Sequence, residues 1–128
     1  MTSGSEAVTD GVRVEVESQY SAEHSTAGQW FFLYTIRITN EGDDTVQLLS
    51  RHWIIRDATG KVEEVQGPGV VGEQPVLEPG EAFEYTSGCP LTTPFGSMEG
   101  TYEMVTAGGE RFDAAIAEFV LREPGAIH

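Results

Sequence analysis

Gly67-Pro68-Gly69-Val70-Val71-Gly72 satisfies the G-x-G-x-x-G spacing. In a dinucleotide site such glycines lead a strand straight into a helix whose N-terminus holds the pyrophosphate. Here the following residues, Glu73-Gln74-Pro75-Val76-Leu77-Glu78-Pro79-Gly80, are interrupted by two prolines and open on a carboxylate. No useful helix can start there. The spacing instead suits a bulged, tight loop between strands, with glycine supplying positive φ and close backbone approach. An anion nest of backbone N–H groups is the chemical alternative.

Other reactive side chains are sparse. His24, His52 and His128 share no metal-ligand spacing, and Asp43, Asp44, Glu63 and Glu64 form no calcium-loop pattern. No dedicated metal site is expected, although loose attraction of hydrated divalent cations stays open. Cys89, the single cysteine, precedes Pro90 and lies in no hydrolase signature, so it reads as an inert, partly buried thiol. Ser50 and His52 fall on one strand face, yet side chains two apart on a strand are roughly 7 Å from each other, too far for direct proton transfer. No catalytic set and no cofactor follow from these residues.

The elements that must position them are strands. Val12, Val14 and Val16 alternate with Arg13, Glu15 and Glu17, the pattern of a strand with one wet face. Trp30, Phe32, Tyr34, Ile36 and Ile38 form one face of a longer strand. Phe31 and Leu33 make the start of its other face apolar too, which marks a central strand. After the turn-rich Asn40–Asp44, residues 45–57 read as a third strand whose phase changes around Ser50-Arg51-His52, predicting a bulge or a strand crossing there. Asp57-Ala58-Thr59-Gly60 closes a hairpin into Lys61–Val65. Further strands are expected over 81–86, 97–106 and 111–121, the last two joined by Ala107-Gly108-Gly109. In the final one Phe112 lies on one phase and Phe119 and Leu121 on the other, so it too needs a bulge. Helical periodicity is missing throughout. The pattern predicts an all-β sandwich of about seven or eight strands in one domain spanning the chain. Its ordered core runs from about 12 to 121, with frayed ends at Met1–Gly11 and Glu123–His128.

The 128 residues carry 21 Asp and Glu against 7 Lys and Arg, a net charge of −14. Such a surface repels phosphate backbones and anionic membranes, arguing against nucleic acid as a partner. With no signal-peptide pattern, no apolar run near the ~20 residues of a membrane span and no intramolecular disulfide, a soluble cytoplasmic protein without membrane insertion is expected.

Taken together, Leu48-Leu49-Ser50-Arg51-His52-Trp53-Ile54-Ile55, Glu64 through Pro75, Leu77-Glu78-Pro79-Gly80-Glu81 and Phe83 through Cys89 resemble the ApaG family. The similarity continues through Thr93–Gly100, Phe112-Asp113, Ile116, Phe119 and Leu121, covering about Val12 to Leu121. The resemblance implies a fibronectin-type-III-like (immunoglobulin-like) sandwich. It also implies an association with cobalt and magnesium tolerance or efflux. Eukaryotic relatives carry the domain beside other modules, where it serves protein interaction. The family's Gly-rich segment, here Gly67, Gly69 and Gly72, has been considered a phosphate site.

The expected function is therefore a non-enzymatic binding module for an unidentified protein partner, acting as a monomer or an edge-paired dimer. Its site is expected around Arg51, Trp53, Gly67, Gly69, Gly72, Glu73 and Gln74. Arg51 and Trp53 are of the types enriched at interface hot spots, although a tryptophan in such a sandwich is often core. A direct divalent-cation sensor, or a phosphate- or nucleotide-binding protein using the glycine loop, are the alternatives.

Overall fold

Alternation with period two is realised as strands throughout. In the computed structural model, which describes residues 2–125, these are β1 (Thr2–Thr9), β2 (Val12–Tyr20), β3 (Trp30–Asn40), β4 (Val46–Asp57), β5 (Val62–Pro68), β6 (Val76–Leu77), β7 (Ala82–Leu91), β8 (Phe95–Thr106) and β9 (Arg111–Arg122). One antiparallel sheet has the order β1-β2-β3-β7. The other has β5-β4-β8-β9, with β6 pairing to β4. The all-β sandwich expected from the pattern is the fold, and β3 is central as its two-sided apolar start required.

The inward faces meet in one core. Val12, Val14, Phe32, Ile36, Leu48, Tyr102, Met104 and Leu121 are fully buried. Both phase changes are bulges. In β4 the register passes from Leu48↔Met104 to Ser50↔Glu103, leaving Leu49 as the extra residue, just before the expected position. In β9 it passes from Gly100↔Ile116 to Met98↔Phe119. One residue is thereby gained, so Ile116 and Phe119 can both face inward. Strand β7 runs on to Leu91, past its expected end at 86, because an edge strand tolerates Pro90.

The N-terminus departs from expectation. Instead of fraying, β1 pairs with β2 along its whole length, from Thr2↔Gln19 to Thr9↔Val12. Asp10 and Gly11 both take positive φ in the connecting turn, as a tight hairpin demands. Ser3, Ser5, Ala7 and Thr9 face inward but are small, so the strand is tied by hydrogen bonds more than by apolar burial. The Ser5 hydroxyl donates to the Ala117 carbonyl at 2.7 Å, and the Ala115 N–H donates to Thr9 Oγ1 at 3.1 Å. From β2, the Ser18 hydroxyl donates to the Val120 carbonyl at 2.8 Å. The β1/β9 side of the sandwich is thus stitched shut. At the C-terminus, Arg122 is still in β9 and the Glu123 N–H donates to the Pro94 carbonyl. The expected fraying of 126–128 lies outside the described residues.

Candidate functional site

At the opposite side of the sandwich, β7 and β5 are the edge strands, and a cleft of about 350 Å³ opens between them. Its floor is Tyr34, Trp53, Cys89, Leu91 and Met98. Its rim carries Arg51, Asp57, Lys61 and Glu63, together with Ser87 and Gly88 of β7. A smaller cavity of about 220 Å³ adjoins it, between Tyr85 and Ser87 on one side and Val70, Val71 and Gly72 on the other. Tyr34, Arg51, Trp53 and Ser87 border both.

Arg51 owes its position to the glycine segment. It pairs across strands with Gly67, where an added Cβ would stand 3.1 Å from Arg51 Nη2. Because glycine leaves that space open, the guanidinium lies across β5. Its Nη1 then donates to the carbonyls of Pro68 and Gly69, both at 2.9 Å. Beyond β5 the chain turns back on itself. Val70 and Glu73 exchange backbone hydrogen bonds of 2.8 Å, and Val71 and Gly72 between them take φ of 43° and 81°. Two successive positive-φ residues describe a type I′ turn.

This turn serves the β4 bulge. The Leu49 carbonyl accepts from the Gly69 N–H at 2.8 Å and from Gln74 Nε2 at 2.9 Å. Gly69 has φ +61°, and a Cβ there would meet the Glu73 carbonyl oxygen at 2.3 Å. Only glycine fits. The G-x-G-x-x-G spacing is therefore met by a strand end and a tight turn, and no helix follows. The N–H groups of Gly69, Val70 and Glu73 are committed to Leu49, Glu73 and Val70. Two of the segment's carbonyls, not its N–H groups, face the adjacent cation.

The structure brings Arg51, Gly67, Gly69, Gly72 and Gln74 into one constellation, while Glu73 contributes through its backbone. Trp53 is only 3% exposed. It forms T-shaped contacts with Tyr34, Tyr102 and Phe119 at centroid distances of 5.5, 6.3 and 5.9 Å. It is a core residue bordering the cleft, not an exposed anchor. Tyr34, Lys61, Glu63, Ser87 and Met98 are not legible as site residues in the sequence, because no spacing along the chain links strands β3, β5, β7 and β8.

Electrostatically the cleft is mixed. Burial raises the hydroxyl pKa of Tyr34, Tyr85 and Tyr102 above the ordinary value, with nearby Arg51 opposing the shift in each. The Tyr85 and Tyr102 hydroxyls are hydrogen-bonded to each other. Burial, helped by the negative charge of Glu63, pushes the Cys89 thiol up to about 12. The thiol therefore stays protonated and unreactive at neutral pH, as its sequence context suggested. Ser50 and His52 do not act together: Ser50 donates to Glu103 at 3.2 Å and His52 contacts Glu64 at 2.7 Å on the solvent face. Among the described residues, no three His, Cys, Asp or Glu side chains gather as metal ligands, and no helix is long and apolar enough to cross a membrane.

Comparison with known proteins closes the identification. Residues 20–106 match the family model of the ApaG domain. The chain is 57% identical over 124 residues to Protein ApaG of Anaeromyxobacter sp. (strain K), covering 97% of this chain and 99% of that protein. It is 56% identical over 119 residues to Protein ApaG of Beijerinckia indica, covering 91% and 92%. A crystal structure of a Bordetella pertussis protein, 52% identical, superposes with a TM-score of 0.87 over 90% of this chain and 95% of that one. The C-terminal domain of wzt shares the fold alone, at 9% identity and a TM-score of 0.56. The chain belongs to the ApaG domain family.

Proposed function

We propose that this protein is a non-enzymatic, cytoplasmic interaction module that receives a segment of a partner protein at the open seam between β5 and β7. The observation that carries this reading is the asymmetry of the sandwich. One side is hydrogen-bonded shut between β1, β2 and β9, while the other presents two strand edges, unpaired among the described residues, around an apolar-floored cleft. Edge strands with free N–H and C=O groups are templates for an added strand. In β7 the run Tyr85–Leu91 carries no charged residue, so the usual electrostatic guard of an edge is missing there. The family's association with cobalt and magnesium tolerance fits a role exercised through that partner.

Tagged protein cross-linked in its host, followed by identification of the co-purifying chains, tests the reading. Val65 of β5 lines the cleft, so Val65→Trp fills it, and His52→Ala alters only the solvent face. A partner retained by wild type and His52→Ala but lost by Val65→Trp supports the seam. A partner held equally by a folded Val65→Trp protein refutes it. Saturable Co²⁺ or Mg²⁺ binding to the isolated protein in calorimetry would shift the reading to direct sensing.

A further inference from the structure

Arg51 stands apart from most arginines of this acidic chain. Arg13, Arg37, Arg56 and Arg111 each lie within ion-pair distance of a glutamate. Arg51 has no carboxylate in that range among the described residues, and its hydrogen bonds to their carbonyls run from Nη1 alone. The Nε–H and Nη2–H edge, the side that grips a carboxylate through two parallel hydrogen bonds, is left without an acceptor among them.

Its surroundings define the rest of a ligand. Arg51 borders both cavities, whose shared wall is Tyr34, Trp53 and Ser87. The larger cavity has room for one or two apolar side chains against Cys89 and Met98. The cleft's charged lining is balanced, Arg51 and Lys61 against Asp57 and Glu63, in a chain of net charge −14. It is therefore a local exception to the surface's repulsion of anions. Asp57 is also engaged, accepting from the N–H groups of Thr59 and Lys61 in its own turn. Of these four charged residues Arg51 also borders the smaller, tyrosine-lined cavity, while Lys61, Asp57 and Glu63 line only the larger. This polarity orients an anion toward the tyrosine end.

We propose that the cleft recognises the C-terminus of a partner chain, the terminal carboxylate on Arg51 and an apolar last side chain in the cavity. The preceding residues pair with the uncharged edge of β7. This rests on the seam reading above and specifies its ligand.

The test is titration of the wild-type protein, followed by tryptophan fluorescence and calorimetry, with four probes. These are an N-acetylated neutral hexapeptide ending in phenylalanine, its C-terminal amide, the same peptide extended by two glycines, and N-acetylphenylalanine. The free acid should bind saturably, with the amide and the extended peptide at least ~10-fold weaker, because each lacks the charge-assisted pair at the cleft. Arg51→Lys, which keeps the charge but loses the fork, should weaken the free acid by a similar factor. Val65→Trp should abolish binding and His52→Ala should leave it unchanged, with unfolding midpoints showing that each variant is folded. Equal binding of acid and amide to the wild type overturns the proposal, whatever the variants do. So does the absence of binding by all four probes. N-acetylphenylalanine binding as tightly as the hexapeptide also overturns it and points to a small carboxylate. If the peptides fail while Val65→Trp still loses a captured partner, carboxylate recognition falls and the seam reading stands. If the free acid binds and no captured partner depends on the seam, the cleft's affinity for a terminal carboxylate stands, while the seam reading, and with it the partner chain as ligand, falls.

Discussion

Replacing Gly69 by alanine tests whether the glycine segment is an architectural brace. Two costs are visible. The backbone sits at φ +61°, where a non-glycine residue is disfavoured by about 1–2 kcal/mol. The new Cβ would lie 2.3 Å from the Glu73 carbonyl oxygen, so the 70–73 turn must move away. That movement sacrifices the Gly69 N–H bond to Leu49 or the Arg51 contacts to the loop, each about 1 kcal/mol. Gly72 is the internal control. Its φ is +81°, yet a Cβ added there would find nothing within 4 Å, so Gly72→Ala incurs the backbone cost alone. Alanine also restricts the unfolded chain by roughly 0.4–1 kcal/mol at either site, and this cancels in the comparison. Gly69→Ala should therefore be less stable than Gly72→Ala by about 1–2 kcal/mol. With a urea dependence of roughly 1–3 kcal/mol per molar, the midpoints should differ by about 1 M. Urea unfolding followed by far-UV circular dichroism measures this. Coincident midpoints for the two variants would refute the reasoning, because the loop would then be free to yield around Gly69.

Three further outcomes are expected. Val71 is a half-exposed, β-branched residue at φ 43° in a type I′ turn. Val71→Asn would create the preferred Asn-Gly pair and should raise the thermal midpoint by about 4 °C, corresponding to roughly 1 kcal/mol. Cys89, with its thiol pushed up to about 12, should react with an aromatic disulfide reagent at pH 8 far more slowly in the folded protein than in denaturant. Hydrogen bonds from the Thr59 hydroxyl and from the N–H groups of Thr59 and Lys61 hold the Asp57 carboxyl below its ordinary pKa. The stability it contributes is present above the usual carboxylate range and lost as pH falls through the lowered value. Asp57→Ala should accordingly be less stable than wild type at pH 7, with the gap closing in acid melts.

The legible parts of the structure follow a physical rule. Strands that bury large apolar side chains, such as Phe32, Tyr34, Ile36 and Ile38 in β3, announce themselves by alternation. Both bulges show as phase changes, since an extra residue exchanges the faces of a strand. Strand β1 gives no such signal because its inward residues are Ser3, Ser5, Ala7 and Thr9, which carry no apolar pattern; Ser5 and Thr9 are held by hydrogen bonds to β9. Its one clear cue is Asp10-Gly11, a pair suited to a hairpin. Strand β6, two residues long, is too short for any periodicity.

By its own pattern the sequence determined an all-β sandwich, an inert cysteine and a glycine segment that cannot lead into a helix, because these depend on local alternation, on neighbouring residues and on the two prolines. The tertiary structure alone decided what that segment does. Gly67 makes room for an arginine from the neighbouring strand, and Gly69 and Gln74 satisfy the Leu49 carbonyl of a bulge well upstream in the chain. It also decided which side of the sandwich stays open. That depends on which edge strands hydrogen-bond across the sheets, a long-range property that no spacing along the chain encodes.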